Sequence, residues 1–414
     1  MASLRANLRE LRPAIAILVG TSVMLSLAMG LRQSLGLFMP HMTSDLNISV
    51  SDFTIAIAVQ NLAWGFLQPI AGALTVRVGF RPIMLVGTVL YIAGLAVLAV
   101  ANGMVMVVLG AGVLIGVALA CTASSIAMSV AARTASPQLR SMVFGIVSAA
   151  GSVGSAIAAP LGQFLNNDFG WRYGVMGFVV LAVVMVPAAW FAGRADAVVL
   201  PPPVAGSVDG GTAGAAFMAA IGSLPFIIMA VAYCVCGMQL VFLTTHLPSY
   251  LALCGLDPML GAQALGVIGG ANIVGSLFFG WAGGRWNKLA LLGMIYVVRS
   301  LVLAVYFIAP PTPTGTLVFA ALMGLTWLGV APLVAGAVAE MFGLRWQAMI
   351  QGIAFVGHQL GSFVGALGGG VLFDVSGTYD LAWRFGVATG LIAGAVQISM
   401  ALFRPSKPPR LAVA

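Results

Sequence analysis

The feature that most constrains this 414-residue chain is a series of twelve apolar stretches in which only two cationic side chains, Arg32 and Arg299, lie deep. Apolar residues make up 61% of the sequence and charged residues 7%, too few charged side chains to cover a soluble protein of this length. A hydrocarbon core about 30 Å thick is crossed by roughly 20 apolar residues in a helix. The sequence therefore predicts an all-α integral membrane protein.

The stretches form two sets of six, and each is predicted to be a helix because a helix satisfies its own backbone groups in lipid. The first six predicted spans are 13–40, 51–75, 82–101, 104–132, 139–165 and 171–193. The second six are 219–250, 260–284, 289–309, 314–340, 346–373 and 381–403. Pro201-Pro202-Pro203 and Gly210-Gly211 between the sets indicate a flexible cytoplasmic linker. We therefore divide the chain into an amino-terminal bundle (1–193), a linker (194–216) and a carboxyl-terminal bundle (217–414).

The Lys and Arg residues mark one side of the membrane. Fourteen of the eighteen lie at the two ends of the chain or after even-numbered spans, whereas Arg172 and Arg384 follow odd-numbered spans. Cytoplasmic loops carry the excess of Lys and Arg, so both termini are predicted to be cytoplasmic, in a multi-pass protein of a cell inner or plasma membrane. This topology explains the net charge of +8 without a nucleic-acid partner.

The two sets of spans repeat each other at nearly constant offsets. The matched segments are Gly72 to Arg77 with Gly280 to Arg285, Gly145 and Gly154 with Gly352 and Gly361, Asp168-Phe-Gly-Trp171-Arg172 with Asp380-Leu-Ala-Trp383-Arg384, and Gly30 and Arg32 with Gly237 and Gln239. The offsets lie between 207 and 212 residues. Four matches at nearly one offset predict a parallel repeat of two pseudo-symmetric six-helix bundles.

This arrangement resembles the major facilitator superfamily over essentially the whole chain. The segment Gly72-Ala-Leu-Thr-Val-Arg77-Val-Gly79-Phe-Arg81 is similar to the loop motif of that family, and Gly280 to Arg285 is a degenerate copy. The family usually has Asp where this chain has Val76 and, in the copy, Gly284. The resemblance implies the major facilitator fold, with Gly72, Arg77, Gly79, Arg81, Gly280 and Arg285 as loop-motif residues that serve its conformational changes.

Three further segments look like the bacterial monocarboxylate-porter branch of that superfamily. They are Gly30-Leu-Arg32-Gln-Ser-Leu-Gly36, Gly237-Met-Gln239 with His246-Leu-Pro248, and Gly357-His358-Gln359-Leu-Gly361. The resemblance implies a small organic anion as substrate, usually a monocarboxylate.

Arg32 is the first candidate for contact with such an anion. It lies on the order of 12 Å below the outer interface, at 1.5 Å per residue of helix. A charge at the centre of a span costs at least ~2.5–3.5 kcal/mol and is a functional hypothesis by default. A guanidinium can bind a carboxylate with two parallel hydrogen bonds. The alternative is a structural arginine bonded to a backbone carbonyl or to Asp45.

Arg299 lies near the middle of the ninth predicted span, and its role stays open between two alternatives. It is either a second ligand of the anion or a structural arginine packed against the eighth or twelfth span. A buried cation needs compensation in either case.

His358 and Gln359 replace the small pair Gly151 and Ser152 of the first half. An imidazole can bind a carboxylate and can exchange a proton near neutral pH, so His358 is a candidate for both roles. His246, near the outer end of the seventh span, is a second proton-coupling candidate, with a gating or structural role as the alternative. The remaining substrate-binding candidates, each with helix packing as its alternative, are Gln239, Asn61, Tyr233 and Asn272.

These observations predict a secondary active transporter that moves a small organic anion by alternating access. Proton symport is the simplest coupling because one proton neutralises a monoanion, although an anion exchanger needs no titrating residue. An efflux carrier for other small molecules would need an acid in the central spans, and a membrane sensor would need a sizeable soluble domain or a decayed repeat. Three scattered histidines provide neither an enzyme active site nor a metal site, and we expect no cofactor. A monomer in the lipid bilayer is expected because one pair of repeats encloses a pathway.

Overall fold

A computed structural model describes residues 12–200, 207–308 and 311–403, without the side chains of Ser51 and Pro258. Within these ranges twelve helices are long and apolar enough to cross a membrane, which confirms the predicted fold class. In chain order they are Arg12–Leu46, Asp52–Val78, Phe80–Ala99, Met104–Thr134, Arg140–Phe169, Trp171–Ala197, Leu224–Leu253, Met259–Gly283, Lys288–Ile308, Pro313–Phe342, Gln347–Ser376 and Asp380–Phe403. We call these the first to twelfth spans.

Several residues used for the topology and linker predictions lie outside the described ranges. They are Arg5, Arg9, Arg404, Lys407, Arg410 and Pro201-Pro202-Pro203.

The chain divides into two compact units near the predicted linker. The first unit contains Met1–Pro202 and Leu344–Gly352, and the second contains Pro203–Gly343 and Ile353–Ala414. The described part of the linker has local helical structure. It contains 3-10 turns at Gly193–Ala197 and Val208–Gly210, and a helix at Ala213–Ile221 begins within it. Val208 and Ala216 are buried, so apolar contacts order these turns.

Glycines bring the same pair of helices together in each unit. In the first unit a Cβ added at Gly154 of the fifth span would overlap the carbonyl oxygen of Ser26 in the first span. In the second unit a Cβ added at Gly361 of the eleventh span would overlap the carbonyl oxygen of Cys234 in the seventh span. Small residues allow such close approach of helix backbones in lipid. The repeat read from the sequence thus corresponds to one packing contact made twice.

We expect Gly154→Ala to destabilise the protein by roughly 1–3 kcal/mol, the usual cost of overpacking, because Ser26 presents backbone that must shift. Gly151→Ala is the matched control on the same helix, since its Cβ would meet Leu25 at an ordinary 3.6 Å. Thermal unfolding of both variants in the same detergent measures the difference. Equal melting temperatures for the two variants would contradict the tight contact at Gly154.

The fourth and tenth spans are each interrupted, a feature that hydropathy alone does not predict. Ala123 is extended between helices Ile115–Thr122 and Ser124–Thr134. In the tenth span, two residues separate the end of helix Pro313–Trp327 from the start of helix Val330–Phe342. A break leaves backbone carbonyls without their helical partners, and in lipid these groups must be satisfied by other donors.

An acid at the carboxyl end of the sixth span supports the start of the third span. Gly79 has a φ of +90°, which favours glycine, and the next helix starts at Phe80. The Asp196 carboxylate accepts hydrogen bonds from the backbone N–H of Phe80 at 2.7 Å and of Arg81 at 3.0 Å. A negative group at a helix N-terminus satisfies free donors and complements the helix dipole. Asp196 therefore caps a helix that begins 116 residues before it in the sequence.

Candidate functional site

Arg32 lies in the first span against the second span, and none of its described contacts is to a carboxylate. Its Nη2 donates to Asn61 Oδ1 at 2.5 Å, and its guanidinium lies over the Trp64 ring, 5.0 Å from the centroid. Its Nε is buried without a hydrogen-bond partner. Among the described residues, Asp45 is paired with Arg172 and Glu340 with Lys288. In the part of the chain that the structure describes, an amide and an aromatic face hold the Arg32 guanidinium, and neither carries a negative charge.

Trp64 connects Arg32 to the break in the fourth span. Its indole Nε1 donates to Gln68 Oε1 at 2.8 Å, and Gln68 Nε2 donates to the Ala120 carbonyl at 2.9 Å. In an unbroken helix that carbonyl would accept from Ser124, on the other side of Ala123. Gln68 therefore satisfies a carbonyl that the break releases. Asn61, Trp64 and Gln68 follow helical spacing and share one face of the second span.

In the second unit, His358 and Tyr233 lie in one aromatic cluster. The His358 ring stacks on Phe355, with centroids 5.4 Å apart and planes 9° apart, and its centroid is 4.6 Å from that of Tyr233. His358 Nδ1 lies 3.2 Å from Gln359 Oε1. His358 is half-buried, whereas Gln359 is 5% exposed. The structure thus brings together three of the residues predicted from the sequence, His358, Gln359 and Tyr233.

Gln239, the repeat partner of Arg32, has both described hydrogen bonds within its own bundle. Its Nε2 donates to Ser300 Oγ at 3.0 Å and to the Gly386 carbonyl at 2.8 Å. These groups lie on the ninth and twelfth spans. Gln239 is 2% exposed, and these contacts fit the helix-packing alternative for this residue.

Arg299 and Asn272 meet at the break in the tenth span. Arg299 Nη2 donates to the Thr326 carbonyl at 2.5 Å and to the Trp327 carbonyl at 3.3 Å, and Nη1 donates to Cys236 Sγ at 3.1 Å. Asn272 Oδ1 accepts from the Leu328 N–H at 2.8 Å. Arg299 is 0% exposed. Both side chains therefore satisfy backbone groups that the break releases, and this geometry favours the structural alternative for Arg299.

His246 is 8% exposed, and its Nε2 lies 2.9 Å from the Ala366 carbonyl. Its ring contacts those of Phe242 and Tyr379 at centroid distances of 5.0 and 5.2 Å. This environment is that of a packing histidine bonded to backbone. The third histidine, His41, pairs with Asn166 at 3.2 Å.

The loop-motif residues lie at one end of each unit. Gly72 packs tightly against the backbone of Ala348 within the first unit. The Arg81 guanidinium lies 4.5 Å from the Trp190 ring centroid, and that of Arg285 lies 4.2 Å from the Trp281 centroid. Arg77 is exposed and Gly280 is buried. The described residues include no group of three or more His, Cys, Asp or Glu placed to hold a metal ion.

The structure adds two residues, Trp64 and Phe355, that the sequence reasoning did not select. Each lies three positions from a residue that it did select, Asn61 and His358 respectively, and therefore on the same helix face. Extending each polar candidate to its aromatic neighbours at helical spacing would have found both. Gln68 carries no such signal, because its partner is a backbone carbonyl.

Comparisons with known proteins agree with this architecture. A family model described as Major Facilitator Superfamily matches residues 21–366. Monocarboxylate transporter 13 of Bos taurus is 26% identical over 352 residues, which cover 84% of this chain and 79% of the relative. Monocarboxylate transporter 11 of Homo sapiens is 27% identical over 400 residues, which cover 92% and 82%.

Among solved structures, the fold is similar to that of the fucose:proton symporter of E. coli, with a TM-score of 0.72. The two sequences are 13% identical, and the match covers 95% of this chain and 98% of the other. At this identity the similarity establishes the fold alone.

Proposed function

Since this chain belongs to the Major Facilitator Superfamily, a family of transporters and not of enzymes, we propose that it carries a small organic monocarboxylate. The observation that carries the proposal is Arg32, a cation in a membrane span whose described contacts are an amide and an aromatic ring. An anionic substrate supplies the charge that these neighbours lack. We propose that Arg32 is the main ligand of the substrate carboxylate, with Asn61 as its positioning partner.

The number of available cations favours a monoanion. Arg299, the other arginine deep in a span, donates to two backbone carbonyls and a thiol and is fully buried. One guanidinium compensates one carboxylate, whereas a dicarboxylate would leave a second negative charge in a medium where charges are costly. The names of the two relatives, which are 26% and 27% identical, support the same substrate class.

We propose His358 as the residue that exchanges the coupled proton. Its half-buried ring lies between Phe355 and Tyr233, the latter being the titratable side chain that packs against it. An imidazole changes charge near physiological pH, whereas the sequence has no Asp or Glu in the central parts of the spans. Symport of one proton with one monoanion moves no net charge, so the membrane potential does not oppose uptake. Gln359 stands beside the ring as a hydrogen-bonding partner.

We propose the same topology that the sequence predicts, with both termini cytoplasmic in a cell membrane and a monomer as the working unit. The support is the excess of Lys and Arg after even-numbered spans.

The test of the proposed function is uptake of labelled monocarboxylates, aliphatic, aromatic and 2-keto, into proteoliposomes with and without an inward proton gradient. We expect accumulation of at least one of these anions above its external concentration only when the gradient is present. Gradient-independent exchange of internal for external anion would instead identify an anion exchanger. Transport of cationic or neutral compounds with no carboxylate flux would overturn the proposal in favour of an efflux carrier.

In the same assay, His358→Gln is expected to abolish gradient-driven accumulation and to leave exchange within about a few fold of wild type. Glutamine keeps hydrogen-bonding groups but does not titrate, so only the proton step is lost. His41→Gln, which alters the histidine paired with Asn166, is the control. Normal accumulation by His358→Gln, or its loss in His246→Gln instead, would remove the proton role from His358.

A further inference from the structure

The carboxyl-terminal unit contains an apolar cavity of about 120 Å³ that the transport proposal does not use. It lies among the seventh, ninth, eleventh and twelfth spans. Its walls include Phe242, Leu303, Gly368, Leu372, Trp383 and Gly386. An apolar cavity of roughly 150 Å³ is large enough to bind benzene, so this space can hold part of a hydrocarbon chain.

The corresponding space in the amino-terminal unit is filled by two phenylalanines. Phe38 and Phe178 pack edge to face, with ring centroids 5.2 Å apart, and both are fully buried. Phe38 lies directly against Gly174. At the repeat offset of 212 residues, Gly174 corresponds to Gly386 and Phe178 to Gly390. A Cβ added at Gly386 would meet nothing within 4 Å. A Cβ added at Gly390 would instead meet Ser300 Oγ and Gln239 Nε2, so these polar side chains stand where Phe178 packs in the first unit, and the space beside Gly386 stays open.

The lining determines what the cavity can accept. Among the described residues that line the cavity, the polar side chains are those of Gln239 and Trp383, and none is charged. Gln239 Nε2 is already bonded to Ser300 and Gly386. A carboxylate would find no cation here, so the cavity does not suit the anion that we propose as substrate. It suits a ligand that is apolar along its length.

Two of the residues that line the cavity are exposed, one on the eleventh span and one on the twelfth. Val364 and Phe385 are 51% and 54% exposed. The twelfth span, which forms one side, has only 28% of its most apolar segment buried. In a membrane protein such apolar exposed surface is covered by lipid, and the cavity is continuous with it.

We propose that this cavity binds the acyl chain of a membrane phospholipid, which enters between the eleventh and twelfth spans. The chain fills the space beside Gly386, whose repeat counterpart Gly174 is covered by Phe38. The proposal rests on the geometry of the second unit alone and is independent of the identity of the transported anion.

The experiment is photolabelling in proteoliposomes with phosphatidylcholine that carries a diazirine near the end of one acyl chain, followed by peptide mapping. We expect labelling concentrated on residues 364–372 and 382–386. Gly386→Leu should reduce it about tenfold or more, because the added side chain occupies the cavity. Gly368→Leu tests the same point from another span, since its Cβ would meet only Val364, at 4.0 Å.

Gly266→Leu is the matched control, an exposed glycine of the eighth span whose added Cβ meets nothing within 4 Å and which does not line the cavity. Its labelling should equal that of wild type. Label spread evenly over all exposed spans of the wild-type protein would overturn the proposal. Unchanged labelling of residues 364–372 and 382–386 in both filled variants would overturn it as well, and the wild-type map decides the matter even if those variants fold poorly.

Discussion

Replacing Arg32 with alanine is expected to reduce carboxylate uptake by about a hundredfold or more, because loss of a charge-paired hydrogen bond costs about 2–5 kcal/mol and 1.4 kcal/mol is a factor of ten. The truncation removes the donor to Asn61 and the cation over Trp64, but leaves both of those side chains in place. Arg32→Lys keeps the charge and loses the planar pair of donors, so its uptake should lie between those of wild type and Arg32→Ala. Initial rates in proteoliposomes measure all three.

Arg384→Ala is the control for charge, since it removes an arginine from an exposed position. Its uptake should match that of wild type. Arg32→Ala protein that folds normally and transports the same carboxylate at the wild-type rate would show that Arg32 is structural. The anion proposal would then lose the observation that supports it.

Replacing Arg299 with methionine is expected to affect stability before it affects substrate recognition. The variant leaves the Thr326 and Trp327 carbonyls without their donors, at about 1–3 kcal/mol for each unsatisfied group. Removal of a buried guanidinium also relieves its desolvation cost, so we expect a net loss of about 2–4 kcal/mol. Thermal unfolding measures this loss, and transport by the folded fraction should keep a KM close to that of wild type.

Leu301→Met is the control for Arg299→Met, because Leu301 is a half-exposed residue two positions away on the same span. It should unfold at the wild-type temperature. A normal melting temperature for Arg299→Met combined with a KM raised tenfold or more would reverse the assignment. Arg299 would then be a ligand of the anion and no longer a support of the tenth span.

The sequence predicts the number and type of spans because every backbone polar group in the bilayer must be hydrogen-bonded within the protein, which few structures achieve. An apolar run of about 20 residues has to be a helix, and repeated glycines such as Gly154 and Gly361 have to lie at close contacts. The breaks at Ala123 and after Trp327 have no comparable signal. Ala123 is compatible with a helix, and its extended conformation depends on partners in other spans such as Gln68.

Residue type and depth select candidate residues where one polar or aromatic side chain contacts another. Arg32 with Asn61, and Tyr233 with His358 and Gln359, were all selected by residue type and depth. Arg299 was selected for the same reason, yet it donates to backbone carbonyls. Residue types in a sequence do not show which carbonyls lack a helical partner. The two alternatives for Arg299 could therefore be weighed only once the break in the tenth span was known.

The hydrogen bonds of Asp196 have a consequence for where the chain can be cut. Apolar periodicity places the end of the first bundle at residue 193, but a fragment that stops there lacks the carboxylate bonded to Phe80 and Arg81. The first unit extends past this acid. The two halves of this transporter, expressed as separate polypeptides, are therefore complete only if the first carries Asp196 with it. The boundary that matters for assembly therefore lies at the carboxyl end of the sixth span, after Asp196.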